Sequence, residues 1–171
     1  MCRYDRIDIR TTKEENIMAG INAEHINPFL ISATKIFKDM CSVETSIGKP
    51  YIKSTEFTDD TLVILIGITG EIRGQVMIAI TNATACNLAG KMMMMPVEKM
   101  DELSTSAIGE LGNMIMGNAA TIFSTKGIGI DITPPTLCMG DVSFSNSYTQ
   151  NICVPLQLED NNTIEINVAV R

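Results

Sequence analysis

A glutamate and an asparagine stand three residues apart inside a largely apolar segment, at Glu110 and Asn113. Ser106 precedes this pair and Gly117 follows it, each four residues away. If the segment is helical, the four positions gather on one side of the helix, at steps of three and four residues. A carboxylate and a side-chain amide then point outward together, one turn apart. The carboxylate offers a negative charge, and the amide both donates and accepts hydrogen bonds.

The spacing of this pair is a weak signal by itself. The chain has 11 Glu and 12 Asn, so about one Glu-x-x-Asn match is expected by chance. Three matches occur, at Glu24/Asn27, Glu110/Asn113 and Glu159/Asn162. The last of them falls in a predicted turn and is interpreted as accidental.

Other familiar catalytic arrangements are missing from the sequence. The only histidine is His25, at a predicted helix start, where a surface or capping role is expected. The sequence contains no GxxxxGK phosphate loop. Its five cysteines are odd in number and include no CxxC, which disfavours a disulfide framework or a zinc site. A self-contained enzyme of a familiar type is therefore disfavoured, and no metal ligands are assigned.

The composition is typical of one globular domain. The chain has 171 residues, of which 45% are apolar and 19% charged. A net charge of -7 argues against nucleic acid or an anionic membrane as the main partner. No apolar run reaches the ~18 residues of a membrane span, and the N-terminus lacks the apolar core of a signal peptide. We therefore expect a cytoplasmic protein, with residues 1–19 a disordered or non-native extension and residues 20–171 a single domain.

Hydrophobic periodicity predicts helices over residues 22–40, 82–95 and 101–125. Pro28 is expected in the first turn of the first helix, where its missing N–H has little effect. Extended segments are predicted over residues 43–57, 61–69, 72–81, 129–142, 148–158 and 163–170. The third helix carries the Glu110/Asn113 pair, and its opposite side (Ile108, Leu111, Ile115, Ala119 and Ile122) should face a sheet.

The order of these elements indicates an internal duplication. When the sequence is shifted by 86 residues, Glu24 and Asn27 fall on Glu110 and Asn113, and Phe37 falls on Phe123. The predicted strands near residues 61–81, which are expected to form a β-hairpin, fall on residues 147–167, where two further strands are predicted. We therefore predict an α+β fold: a duplicated unit of one helix and three strands forms a six-stranded, mainly antiparallel sheet with helices on one face.

Three glycines lie in or beside the polar side of the third helix, at Gly109, Gly112 and Gly117. Each costs about 1 kcal/mol relative to alanine in a helix interior, so their presence needs a reason. One reason is close packing of this helix against its neighbours. The other is a low-relief surface that another protein's active site can approach. The sequence leaves both open.

The string Ser106-x3-Glu110-x2-Asn113 on a helix resembles the signature of the CheC/CheX/FliY family of chemotaxis phosphatases. In that family's signature, an Asp or Ser is followed after three residues by a Glu, and after two more residues by an Asn. The segments INAEHINPFLISATKIFKDM and GKPYIKS look like the CheX branch in particular. The resemblance covers residues 20–171, and the duplicated layout fits it as well.

This resemblance implies a phosphatase that hydrolyses the phospho-aspartate of a response regulator such as CheY. By it, Asn113 would enter the regulator's active site and orient the attacking water, and Glu110 would pair with the regulator's active-site lysine. Ser106 and Gly117 would be flanking partner contacts. The protein would need no cofactor of its own, since Mg²⁺ belongs to the regulator. A homodimer through sheet edges is also implied.

The first half of the chain departs from the signature. Glu24 and Asn27 occupy the repeat-equivalent positions, but Gly20 replaces the Ser or Asp, and Pro28 follows directly. We therefore interpret Glu24/Asn27 as a vestigial second site. The alternative function is a non-catalytic module that docks a response regulator or a chemotaxis or flagellar component. A small-molecule sensor is a third, more remote reading.

Overall fold

The computed structural model describes residues 23–145 and 150–171. Its helices are α1 (Ala23–Cys41), α2 (Asn82–Met93) and α3 (Glu102–Thr125). Each lies within two residues of a predicted helix. The predicted extension over residues 1–19 lies outside the described residues, as does Gly20.

Ten strands complete the fold: β1 (Thr45–Ile47), β2 (Tyr51–Ile52), β3 (Glu56–Phe57), β4 (Thr61–Gly70), β5 (Gly74–Thr81), β6 (Ile130–Ile132), β7 (Thr136–Met139), β8 (Val142–Ser143), β9 (Ile152–Leu158) and β10 (Thr163–Val170). Eight of them form one antiparallel sheet, whose order is β1-β9-β10-β5-β4-β6. In that sheet β2 also pairs with β9, and β7 also pairs with β4. Strands β3 and β8 form a separate two-stranded sheet.

The predicted six strands correspond to the six positions across the main sheet, but each outer position is occupied by two short strands. The break between β1 and β2 falls at Gly48-Lys49-Pro50, and the break between β6 and β7 contains Pro134 and Pro135. Proline cannot donate a hydrogen bond to a strand partner, so each run is interrupted there. The remaining pieces, β3 and β8, leave the main sheet and pair with each other.

The two halves of the chain exchange their outer strands. Strand β1 of the first half pairs with β9 of the second, where Thr45 opposes Leu158. Strand β7 of the second half pairs with β4 of the first, where Cys138 opposes Val63. Strands β5 and β10 join the halves at the centre of the sheet. The strand order is thus the same when read from either edge, as expected for a duplicated unit.

The sheet has a helical face and an opposite face. Alternate strand residues, such as Ile64, Ile78 and Ile166, are buried in one core together with the apolar sides of the helices. Their neighbours Val63 and Met77 point the other way, into a smaller cluster beneath β3 and β8. This alternation is what period-2 strands with two covered faces require. The α+β prediction with helices on one face is confirmed.

Helices α1 and α3 pack directly against each other. The rings of Phe29 and Phe123 meet edge to face, with centroids 5.2 Å apart, and both side chains are fully buried. The buried Ser32 hydroxyl donates a hydrogen bond to the carbonyl of Ile115. Pro28 is the sixth residue of the described helix, so its predicted first-turn position is wrong. It is buried, and packing in the core offsets the backbone hydrogen bond that it cannot donate.

Both ends of α3 are fixed by its own sequence. At the start, the Asp101 carboxylate accepts a hydrogen bond from the Ser104 N–H at 2.8 Å, and the Ser104 hydroxyl accepts one from the Asp101 N–H at 2.7 Å. This reciprocal pair is a capping box. At the end, Lys126 caps the helix and Gly127 follows with a φ of 76°. The helix end predicted at residue 125 is therefore correct, and the helix that carries Glu110 and Asn113 has defined boundaries at both ends.

Candidate functional site

The outward side of α3 carries the polar residues singled out by their spacing. Ser106, Glu110 and Asn113 are exposed, and Gly117 is half-buried. On the opposite side Ile108, Leu111, Ile115 and Ala119 are buried in the core. Ile122, which we expected there too, is only partly buried, and Phe123 takes the core position instead. Helical periodicity alone thus places the carboxylate and the amide side by side in solvent.

An open groove of about 700 Å³ runs along this side of α3. One wall is the first half of α3, including Ser106, Glu110 and Asn113. The other wall is the segment from Ile132 to Leu137, which contains Pro134 and Pro135. From its sequence this segment was expected only to be extended, and no functional role was predicted for it. A groove beside an exposed carboxylate and amide can receive a protruding part of another molecule.

The far wall of the groove is held in place by two hydrogen bonds, one between backbone groups and one to a side-chain hydroxyl. The N–H of Thr133 donates to the carbonyl of Gly67 at 3.0 Å. The Thr133 hydroxyl accepts a hydrogen bond from the N–H of Gly67 at 2.8 Å. These two bonds join the turn between β6 and β7 to strand β4, on which α3 also rests. Both walls of the groove are therefore anchored on the same strand, β4, and this shared support sets the width of the groove.

The three glycines of α3 have different surroundings. A methyl group at Gly112 would lie 2.8 Å from Cγ2 of Ile64, and one at Gly109 would lie 3.1 Å from Cδ1 of Leu137. These two glycines allow α3 to approach the sheet closely, so the packing explanation holds for them. A methyl group at Gly117 would have no atom within 4 Å apart from the adjoining backbone of its own helix. Packing within the described chain does not explain Gly117.

Glu110 and Asn113 are available to a partner. Neither side chain makes a hydrogen bond or an ion pair with another residue in the part of the chain that the structure describes. The ion pairs found there lie elsewhere, between Lys35 and Asp39, for example. A carboxylate and an amide held on a capped helix, with no internal partner, are preorganised for contacts with another molecule.

The repeat-equivalent pair on α1 differs from the pair on α3. Glu24 is exposed, but Asn27 is half-buried, and its Oδ1 atom is shielded from solvent without a hydrogen-bond partner among the described residues. The adjacent Pro28 is buried. An amide with a shielded carbonyl cannot reach into another protein in the way that an exposed one can. The pairs on α1 and α3 therefore have the same spacing in the sequence, but they differ in how far the asparagine is exposed to solvent.

Within residues 23–145 and 150–171, no group of three or more His, Cys, Asp or Glu side chains could hold a metal ion. The four described cysteines are free thiols. Burial raises the pKa of Cys41 and of Cys153 to about 11, so both are protonated at neutral pH. None of the helices in the described part of the chain is long and apolar enough to cross a membrane.

Comparison with known proteins finds one family that covers much of the chain. The profile of the family described as Chemotaxis phosphatase CheX matches residues 62–157, a range that includes all of α3. A protein named CheY-P phosphatase CheX, from Thermotoga maritima, is 32% identical over 152 residues, which are 88% of this chain and 98% of the other.

Solved structures show the same similarity. A CheC-like superfamily protein from Shewanella sp. PV-4 superposes with a TM-score of 0.79 at 29% identity, over 88% of this chain and 99% of that one. The CheX of a CheX–CheY–BeF3–Mg²⁺ complex from Borrelia burgdorferi superposes with a TM-score of 0.75 at 32% identity, over 86% and 97% of the two chains. The similarity therefore extends over nearly the whole described fold.

Proposed function

Because the chain belongs to the CheX family of chemotaxis phosphatases, we propose that it dephosphorylates a CheY-type response regulator, with Asn113 positioning the attacking water. The relative from Thermotoga maritima is named for action on CheY-P, and the Borrelia burgdorferi relative was crystallised with CheY. A hydrolase role is shown by the family. The roles of individual side chains are our proposal.

The proposed reaction requires few groups from this chain. Water attacks the phosphorus of the aspartyl phosphate, the bond from phosphorus to the aspartate oxygen breaks, and the aspartate carboxylate and inorganic phosphate are released. Mg²⁺ bound by the regulator would neutralise charge on the phosphoryl group. The missing element is a water held in line with the breaking bond. The Asn113 amide, which both accepts and donates hydrogen bonds, can hold one.

Glu110 is assigned the docking contact. It lies one turn before Asn113 on the same exposed side of α3 and has no internal partner in the described chain. A carboxylate at this position would form a charge-assisted hydrogen bond to a lysine in the regulator's active site. That contact would fix the angle at which Asn113 enters. Ser106 and Gly117, on either side of the pair, would be flanking contacts.

The observation that carries the proposal is the joint exposure of Glu110 and Asn113 along one groove. A non-catalytic docking module is the competing function, and it has no physical need for the amide. The two are separated by a time course of phosphate release from a phosphorylated CheY-type regulator, with and without the purified protein. Acceleration supports the phosphatase. Tight binding with an unchanged rate of phosphate loss supports the docking module.

We expect Glu110→Gln to raise KM for the phosphorylated regulator while changing kcat less. The substitution keeps the shape and removes the charge, so it weakens a charge-assisted contact worth about 1.5–3 kcal/mol, or roughly tenfold to hundredfold in KM. Steady-state phosphate release as a function of regulator concentration measures both constants.

Glu159→Gln is the matched control for this experiment. Glu159 is exposed and has the same spacing to Asn162, but it lies in the turn between β9 and β10. It should leave KM unchanged. Equal effects of the two substitutions would show that only the overall negative charge matters, and the assignment of Glu110 would then be wrong.

We also propose that the protein forms a homodimer through a sheet edge. Strand β2 pairs only with β9 among the described strands, and its Tyr51 and Ile52 are 42% and 45% exposed. An open strand edge with exposed apolar side chains is suited to pairing with a second copy. Light scattering should give the mass of a dimer for the wild type and that of a monomer for Ile52→Lys. A wild type that stays monomeric at all concentrations would contradict it.

A further inference from the structure

One large apolar side chain lies at the amino end of the same side of α3. Leu103 is 61% exposed, although it belongs to a helix whose other leucine, Leu111, is fully buried. It precedes Ser106 by three residues and Glu110 by seven, so it points to the side that carries Glu110 and Asn113. We call the five positions Leu103, Ser106, Glu110, Asn113 and Gly117 the α3 stripe.

The other end of the α3 stripe is Gly117. Glycine is among the least favourable residues in a helix interior, and Gly109 and Gly112 have close neighbours that require it. Gly117 has an open space of more than 4 Å where a methyl group would lie. Its occurrence would be explained if another molecule approached the helix backbone at that point.

The length of the α3 stripe fits one interface. A rise of 1.5 Å per residue puts Leu103 about 21 Å from Gly117 along the axis. A specific protein interface covers roughly 800 Å² on each partner, which is about 30 Å across. A footprint centred between Glu110 and Asn113 therefore includes both ends of the stripe. It is also continuous with the groove described above.

We propose that the α3 stripe is the complete footprint of the phosphorylated regulator on this helix, with Leu103 as an apolar anchor and Gly117 as the point of closest approach. This inference rests on the phosphatase function proposed above. The regulator surface that fits has three features in a row: an apolar side chain opposite Leu103, a cationic group opposite Glu110, and a flat segment against the backbone at Gly117. A partner with a bulky side chain at the last position would be rejected.

Substitutions of increasing size at Gly117 test the closest approach. Gly117→Ala and Gly117→Leu should raise KM for the phosphorylated regulator, by about tenfold or more for alanine and further for leucine, with kcat little changed. The stability of the isolated protein should not fall, because the space beside Gly117 is open. Gly117→Ala should raise Tm by about 2–4 °C. A substitution that stabilises the isolated protein but weakens its binding to the regulator would indicate that Gly117 leaves space for the partner.

Leu103→Ser tests the anchor, and Met94→Ser is its control. Met94 is 94% exposed just after the end of α2, away from the α3 stripe. We expect KM to rise several-fold for Leu103→Ser and to stay unchanged for Met94→Ser. Binding to the regulator held in its phosphorylated form by beryllium fluoride should show the same pattern in Kd.

The outcomes separate this inference from the function on which it depends. A wild type that leaves phosphate loss unaccelerated overturns the phosphatase proposal, and the footprint with it. An active wild type with unchanged KM in Gly117→Leu and Leu103→Ser overturns the footprint alone. A marked fall in Tm for Gly117→Ala would show that Gly117 packs against its own chain, which also overturns it.

Discussion

Asn113→Ala is expected to lower the acceleration of phosphate loss at least about a hundredfold, leaving little more than the regulator's own rate. Precise placement of a reacting water contributes several kcal/mol to a barrier, and each 1.36 kcal/mol is a factor of ten in rate. Alanine has no group that can hold the water. Because Asn113 is exposed and makes no hydrogen bond within the described chain, the protein should fold normally. Single-turnover phosphate release at saturating enzyme measures the effect.

Asn27→Ala is the matched control, since Asn27 has the same spacing from a glutamate on the duplicated helix. If the first pair is vestigial, this variant should retain the wild-type rate. A rate that falls equally in both variants would mean two working sites. Binding of the regulator by Asn113→Ala, at wild-type affinity but without catalysis, would show that docking and chemistry are separate. A fully active Asn113→Ala would remove the proposed mechanism.

Phe123→Ala is expected to destabilise the protein by about 3–5 kcal/mol. Phe123 is fully buried and meets the ring of Phe29 edge to face, so the substitution leaves a cavity between α3 and α1. For a chain of this length such a loss lowers Tm by roughly 6–20 °C. It is also a large fraction of the 5–15 kcal/mol that holds a typical domain folded. Equilibrium unfolding in urea, followed by circular dichroism, measures the change.

Phe144→Ala provides a comparison within the same protein. Phe144 packs against Phe57 with ring centroids 6.1 Å apart, but it is only partly buried, in the smaller cluster on the other face of the sheet. Phe144→Ala should therefore lower the free energy of unfolding clearly less than Phe123→Ala does. Similar losses for the two variants would show that the contact between α1 and α3 is not the dominant one.

Local patterns were sufficient to predict much of this fold. The period of 3.6 in residues 101–125 gave both the helix and its exposed side, because a long amphipathic helix on a sheet has one free face. Two runs rich in β-branched residues, 61–69 and 72–81, joined by Gly70 and Glu71, predicted the hairpin of β4 and β5. The assignments of Glu110 and Asn113 came from a resemblance, and their roles stay a prediction.

Long-range pairing was not predicted. The groove wall at Pro134 and Pro135 lies beside α3 because β7 pairs with β4, which is some seventy residues earlier in the chain. The sequence shows the prolines but not the strand on which they rest. Pro28 was misplaced for a related reason. Its local preference favours a first turn, and burial in the tertiary core overrides that preference.

The exchange of outer strands has a consequence for synthesis on the ribosome. Strand β1 cannot close its edge of the sheet until Leu158, more than one hundred residues later, has been made. At about 5–20 residues per second, the first half waits for several seconds with apolar side chains uncovered. Contacts this distant in sequence also make folding slow, since a long loop must close before any of them forms. We therefore expect neither half to fold separately.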